Sequence, residues 1–138
     1  VKFDLYGINN IQPIWADSFL KSISNAKMGV NLSRGNPIKY YSSDRITQLI
    51  GNGLLTFIHK DTHYNNFFSN DEVIFYTNVS NLSEKIQKFA KDDRLRKKIA
   101  RKGKKKYMKY FNSTIVADYI INNTFDIKYN KSKYLWDK

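Results

Sequence analysis

The sequence predicts an α/β domain built on a doubly wound parallel sheet, and three observations support it. Short apolar runs alternate with segments of helical periodicity, as they do when helices pack on both faces of such a sheet. Residues 54–58 are almost wholly apolar, which is typical of a strand buried on both faces. The chain has 138 residues, of which 41% are hydrophobic, so it can bury the core of one domain.

The predicted elements follow this alternation. Residues 1–6 alternate apolar and polar side chains and end at Gly7, so we expect a first strand there. In chain order, the remaining predicted elements are a helix at 17–27, a strand at 28–32, a helix from Ser42 or Ser43 to Ile50, a strand at 54–58, one helical turn within 59–70, a strand at 73–76, and helices at 80–91, 94–110 and 113–122.

Capping residues set the expected ends of these helices. The candidate N-caps are Asp17, a serine at 42 or 43, and Asp92 with Asp93. The second helix should end at Gly51 and Gly53. Residues 126–138 form a polar tail, which we expect to be loosely held and to lie outside the domain of residues 1–125.

The positive charge is concentrated in one segment. The net charge is +12, yet residues 94–109 contain ten Lys and Arg and no acid, which leaves 14 basic and 12 acidic residues elsewhere. Leu95, Ile99, Gly103 and Tyr107 recur at every fourth position, so one face of this helix should pack and the others carry charge. Three interpretations stay open: a solvated outer face, contact with an anionic membrane surface, and nucleic-acid binding. No zinc-finger, RNP or helix-turn-helix signature accompanies the charge.

Composition excludes several classes of site. The chain has no cysteine, so it forms no disulfide or cysteine-based metal site. No apolar run approaches the roughly 20 residues that span a bilayer. No carboxylate or histidine cluster suggests a metal, and we expect His59 and His63 to be ordinary surface residues. No signal peptide is visible at the start, so we expect a cytoplasmic protein, with membrane-peripheral attachment as an alternative.

The candidate binding site is the loop that follows the strand at 28–32. In a parallel sheet, ligands bind beyond the carboxyl ends of the strands, beside helix N-termini. The loop contains three cations, Arg34, Lys39 and Arg45, together with Gly35 and the hydroxyls of Ser42 and Ser43 at a helix start. Free amides and the positive end of the helix dipole favour a phosphate at such a point. A capped helix with solvated cations would show the same pattern.

An ordered set of segments resembles the group 1 glycosyltransferases, of the spore-maturation-protein-like kind. Residues 45–56 are similar to the donor-site helix, turn and strand of that family, and residues 72–76 to its next strand. Residues 82–103 are similar to its two closing helices, the second with an Ile-Ala-x-x-Gly step at Ile99, Ala100 and Gly103. Residues 112–114 and the last helix continue the likeness, which runs from about residue 1 to residue 125.

The resemblance implies a GT-B enzyme of two Rossmann-like domains, of which this chain is the C-terminal, donor-binding one. Such a transferase takes a sugar from a nucleoside diphosphate sugar to a glycan, lipid-linked or other acceptor, without a cofactor or bound metal. A separate N-terminal domain would complete the catalytic site, so this chain alone would be inactive and its catalytic residues are unknown. The implied donor-binding residues are Arg34, Lys39, Tyr40, Ser42, Ser43, Arg45 and Gln48.

Two positions depart from the family pattern. The acid that binds the ribose hydroxyls falls on Gln48, whose neutral hydrogen bond is roughly half as strong as a charge-assisted one. A second acid falls on Tyr40, which could stack on the ligand or hydrogen-bond to it. These departures leave open a non-catalytic α/β module that only associates with partners.

Overall fold

The computed structural model describes residues 1–32, 35–41 and 43–137, and it has an α/β fold with a three-stranded parallel sheet. The strands are β1 (Met28–Asn31), β2 (Leu55–His59) and β3 (Ile74–Tyr76), in that order across the sheet. Their register places Val30 beside Phe57 and Phe57 beside Ile74. The helices are α1 (Ala16–Asn25), α2 (Asp44–Gly51), α3 (Val79–Lys91), α4 (Asp93–Tyr110) and α5 (Ser113–Thr124).

Residues 1–6 form no strand, so the sheet has one strand fewer than predicted. Val1, Phe3 and Tyr6 of this segment are exposed, and no described strand pairs with it. An unpaired extended segment has no partner for its backbone groups, so alternation alone does not make it a strand. The predicted N-cap Asp17 is also wrong, because the N-cap of α1 is Trp15 and Asp17 lies in the first turn.

Helices cover both faces of the sheet, as the doubly wound prediction requires. On one face, Ile46 and Ile50 of α2 pack with Ile58 and Phe75. On the other face, Phe89 of α3 and the first half of α4 pack on alternate residues of the same strands; this cluster is Leu55, Phe57, Ile74, Tyr76, Phe89, Ile99 and Ala100. The strands are therefore buried on both sides, which explains their nearly continuous apolar sequence.

The turn between α2 and β2 ends the helix as the two glycines predict. Gly53 has φ +82°, a left-handed conformation that glycine adopts without strain. Its amide bonds the carbonyl of Ile50 at 3.0 Å, and the amide of Leu54 bonds that of Leu49 at 3.0 Å. This pair of bonds is a Schellman motif, which closes α2 and turns the chain directly into β2.

Helix α4 crosses beneath the amino-terminal edge of the sheet. Ile99 and Ala100 belong to one core cluster, whereas Tyr107 near the other end packs against the opposite one. Between them, Gly103 lies directly on the backbone of Glu72, just before β3. The predicted packed face is thus confirmed, and α4 closes the edge of the sheet opposite to the carboxyl ends of the strands.

The tail after α5 is packed, contrary to the expectation of a loosely held segment. Tyr134 is only 1% exposed, and its ring contacts Tyr119 of α5 with centroids 4.9 Å apart. Trp136 continues the aromatic cluster to Phe111, with ring centroids 5.5 Å apart. The aromatic residues of the tail, although few, bury enough surface to fix it on α5.

Candidate functional site

Three loops meet at the carboxyl edge of the sheet, where the sequence predicts a ligand. Leu32 follows β1, His59 ends β2 and Thr77 follows β3. Because parallel strands end at one edge, the segments that leave them form a common surface. The surface carries backbone amides, two histidines and cations from the first two loops.

Arg45 is brought to this edge by α2. It lies in the first turn of the helix, and its guanidinium donates a hydrogen bond to the carbonyl of Leu32, immediately beyond β1. No acid among the described residues pairs with it. A guanidinium has five N–H donors, so this bond fixes its position and leaves donors for an anion.

The start of α2 has backbone donors that no side chain caps. Ser43 has the extended conformation of an N-cap residue, but its hydroxyl makes no capping hydrogen bond, contrary to the cap predicted there. Within the described part of the chain, the amides of Asp44 and Arg45 also have no hydrogen-bond partner. Unbonded amides at a helix N-terminus favour an anion, although the carboxylate of Asp44 partly offsets the dipole.

Asn31 is a candidate that sequence reasoning missed. It ends β1, is only 4% exposed, and its buried Oδ1 has no hydrogen-bond partner among the described residues. Strand alternation puts it on the same face as Gly29, which lies against Leu49 of α2. A buried acceptor without a donor costs about 1–3 kcal/mol, and a ligand that donates a hydrogen bond at this edge would remove that cost. An Asn at the end of an apolar strand was the signal available in the sequence.

Tyr40 joins the loop after β1 to the loop after β2. Its backbone is left-handed, with φ 57°, and its amide donates to the carbonyl of Thr62 at 2.9 Å. Asn66 donates to its hydroxyl, and its ring packs on Phe67 with centroids 5.2 Å apart. The hydroxyl thus accepts from Asn66 and keeps its own O–H to donate, and the residue is 42% exposed, which leaves surface for a ligand.

Lys39 lies in the loop after β1, and Gln48 lies in α2, the helix that follows this loop. Lys39 is exposed, with Nζ 5.1 Å from the centre of the Tyr40 ring. Gln48 is half-buried one helical turn after Arg45, and its side chain bonds none of the described residues. Residues at i and i+3 of a helix are neighbours, so Arg45 and Gln48 face the same region. Arg34 and Ser42 lie outside the described residues.

His59 is held in place by the fold, and it is less exposed than the surface position expected for it. Its Nδ1 accepts a hydrogen bond from the amide of Asp61 at 3.3 Å. The neutral ring therefore carries its proton on Nε2, which donates to the carbonyl of Thr77 at 2.9 Å. His59 thus ties the end of β2 to the end of β3 and leaves no ring nitrogen to act as a base.

Two open grooves lie against α4, at the opposite edge of the sheet. One, of about 700 Å³, runs between the turns at residues 24–27 and 52–53 and α4, and the other, of about 430 Å³, follows the α4 surface itself. Among residues 1–32, 35–41 and 43–137, no cluster of three or more His, Asp or Glu could hold a metal ion. None of the helices in these ranges is long and apolar enough to cross a bilayer.

Comparison with known proteins identified one family. The family whose sequence profile matches the chain is described as glycosyl transferase-like, and the match covers residues 1–122. No curated protein and no solved structure gave a significant match. The matched region contains the three strands, α1 to α4 and most of α5, and it includes the whole carboxyl edge of the sheet.

Proposed function

We propose that this chain, which belongs to the glycosyl transferase-like family, is the GT-B domain that binds a nucleoside diphosphate sugar. The donor lies across the carboxyl edge of the sheet, with its diphosphate at the start of α2. A second, N-terminal domain supplies the acceptor site and the missing catalytic groups. The sugar then passes to a glycan, lipid-linked or other acceptor.

The placement of Arg45 is the observation that carries this proposal. A cation in the first turn of a helix is opposed by the helix dipole, yet Arg45 is fixed there by the carbonyl of Leu32, a neutral partner. A diphosphate would relieve that electrostatic conflict and would accept hydrogen bonds from the amides of Asp44 and Arg45, which bond none of the described residues. The same guanidinium would stabilise the negative charge that develops on the departing nucleoside diphosphate.

The other proposed donor contacts are those that the resemblance implies. Lys39 and Arg34 contribute further positive charge to the diphosphate, and Ser42 and Ser43 offer hydroxyls. Gln48, one turn along α2, accepts a hydrogen bond from the ribose. The exposed part of the Tyr40 ring is available to the base or the sugar, whereas its hydroxyl is held by Asn66.

Nucleotide-dependent thermal stabilisation tests the proposal. A ligand that binds only the folded state raises the melting temperature, and a concentration 100-fold above Kd adds about 2.7 kcal/mol of stability. We expect at least one of UDP, GDP and ADP at millimolar concentration to raise the melting temperature, and Arg45→Ala to abolish the shift. Arg101→Ala, an exposed arginine on α4, is the matched control and should keep it.

Gln48→Glu distinguishes a donor domain from a non-catalytic module. A carboxylate at this position restores a charge-assisted bond to the ribose, so affinity for the nucleotide should rise. Unchanged melting with all three nucleotides would contradict donor binding by this chain. Nucleotide binding that Gln48→Glu leaves unaltered would instead favour a module that has lost the ribose contact.

A further inference from the structure

Helix α4 presents a continuous positive surface at the amino edge of the sheet. Its exposed cations are Arg94, Lys97, Lys98, Arg101, Lys102, Lys104, Lys105 and Lys109, here called the α4 basic arc. At about 100° per residue, these eight positions fall within less than half of the helix circumference. The arc runs from Arg94 to Lys109, so at 1.5 Å per residue it extends over about 22 Å.

Most of this charge is not neutralised within the protein. Lys97 pairs with Asp93 at 2.6 Å and Lys102 with Asp71 at 2.8 Å. Among the described residues, the other six cations of the arc form no ion pair. Structural ion pairs therefore do not account for the arc, which remains free for an anionic partner.

The groove beside α4 adds a concave element to the arc. Its lining includes Lys27, Arg96, Lys97, Arg101 and Lys104, against one acid, Asp93. Asp93 already pairs with Arg96 and Lys97. Arg96 is only 4% exposed, so its guanidinium is held at the floor of the groove rather than moving freely. A phosphate group would complement this lining.

The surroundings of the arc favour a lipid surface over nucleic acid. No aromatic side chain lies within the arc, and Tyr110, whose ring centre is 4.8 Å from Lys109 Nζ, is half-buried at its end. Proteins that bind single strands instead stack successive bases on aromatic rings. Helix α5 begins three residues after α4 ends, and Val116 and Ile120, one turn apart on one of its faces, are 38% and 57% exposed. Apolar side chains enter the acyl boundary of a bilayer but gain nothing from a phosphate backbone.

We propose that the α4 basic arc, with the groove beside it and the exposed apolar face of α5, docks the protein on a membrane rich in anionic phospholipids. Phosphate headgroups contact the arc and enter the groove, and Val116 and Ile120 insert beside them. The amino edge of the sheet then faces the bilayer, and the carboxyl edge, with the candidate donor site, faces away from it. Membrane docking does not require nucleotide binding, so either property can fail without the other.

Sedimentation with vesicles tests this docking. The chain should bind vesicles of phosphatidylcholine with phosphatidylglycerol, and not pure phosphatidylcholine, at about 0.15 M salt. Each cation near the surface contributes about fivefold to the binding constant. A triple variant should therefore bind the vesicles about 100-fold more weakly; it combines Lys98→Gln, Arg101→Gln and Lys105→Gln. The control combines Lys60→Gln, Lys128→Gln and Lys131→Gln, which removes the same charge elsewhere and should retain most of the binding.

Four further outcomes would overturn the proposal. Val116→Ser with Ile120→Ser should weaken vesicle binding and leave retention on heparin unchanged; unaltered vesicle binding would rule out insertion and hence the docking mode. Docking on lipid would be contradicted if the unmodified chain did not bind the vesicles, or if the triple variant and its control lost binding equally. It would also be contradicted if the chain bound duplex DNA more tightly than the vesicles. Melting temperatures of all variants show that they remain folded.

Discussion

Gly103 is the point at which α4 comes closest to the sheet. A Cβ atom built on it would overlap the carbonyl oxygen of Glu72, a backbone atom that cannot move aside by changing rotamer. The sequence placed Gly103 on the packed face of α4, because Leu95, Ile99 and Tyr107 share its spacing. It could not identify Glu72 as the neighbour, since that contact depends on how α4 crosses the edge of the sheet.

Gly103→Ala should destabilise the fold despite the better helix propensity of alanine. Propensity favours the change by about 1 kcal/mol, whereas overpacking costs about 1–3 kcal/mol and more where backbone must shift. Because the clash is with backbone, we expect a cost of about 3 kcal/mol, and hence a net loss of about 2 kcal/mol in urea unfolding once the gain in propensity is subtracted. Gly51→Ala is the control, because its Cβ would meet only Met108 Cε at 3.7 Å. Equal stability of the two variants would contradict the close crossing.

The site residues show the same limit of sequence reasoning. Spacing and cap preference brought Arg45 and Ser43 to the start of α2, since both depend on local structure. The Leu32 carbonyl that holds Arg45, and the bond from Asn66 that occupies the Tyr40 hydroxyl, join loops distant in sequence. For the same reason, sequence reasoning could not identify the buried oxygen of Asn31, which has no partner among the described residues. Its burial depends on α2, which covers the end of β1.

At the scale of elements, a half-buried ion pair attaches α4 to the residue just before β3. Lys106 Nζ lies 2.9 Å from Glu72 Oε2, and the amide of Ser69 donates to the same oxygen at 2.8 Å. Burial raises the pKa of Glu72, but these hydrogen bonds outweigh it, and the pKa lies below its ordinary value of 4.5. A depressed pKa means that the folded state favours the carboxylate, so the interaction stabilises the fold only while Glu72 is charged.

Glu72→Gln should therefore lower stability in a pH-dependent way. At neutral pH we expect a loss of about 1.5 kcal/mol, the lower end of the range of about 1.5–3 kcal/mol for hydrogen bonds to a charged group, because the pair is partly exposed. The difference from the unmodified chain should shrink as the pH falls below 4.5 and through the folded-state pKa. Asp71→Asn is the control, because the Asp71–Lys102 pair is exposed and solvent weakens it. Urea unfolding measured across pH tests both; a difference that does not depend on pH would contradict the role of the carboxylate.

The helices were the elements that the sequence predicted best. Periodicity located all five to within a few residues, and Asp92 caps α4 as expected, accepting from the Leu95 amide at 2.8 Å. Helix α5 was predicted to pack through Ile115, Val116, Tyr119 and Ile120, yet Val116 and Ile120 are exposed. The tail explains this difference, because Tyr134 and Trp136 pack on Tyr119 and orient the helix around it.

At the scale of the whole molecule, the order of strands and helices was predictable and the number of strands was not. Residues 28–31, 55–59 and 74–76 follow the apolar runs of the sequence, since burial on both faces selects such runs. Residues 1–6 have strand-like alternation but no neighbour to pair with, and pairing is a property of the whole sheet. Only the fold shows that the molecule has two different edges. The amides at the start of α2 lie at the carboxyl edge, and the basic helix α4 closes the amino edge.

The most direct test of the account is to locate the nucleotide on the folded chain. Backbone amide shifts in NMR spectra, recorded as UDP, GDP or ADP is added, report which residues contact the ligand. Binding at the carboxyl edge predicts that the amides of Asp44, Arg45 and Gln48 shift strongly and saturate together. Shifts confined to residues 94–109 of α4, with the start of α2 unchanged, would contradict it.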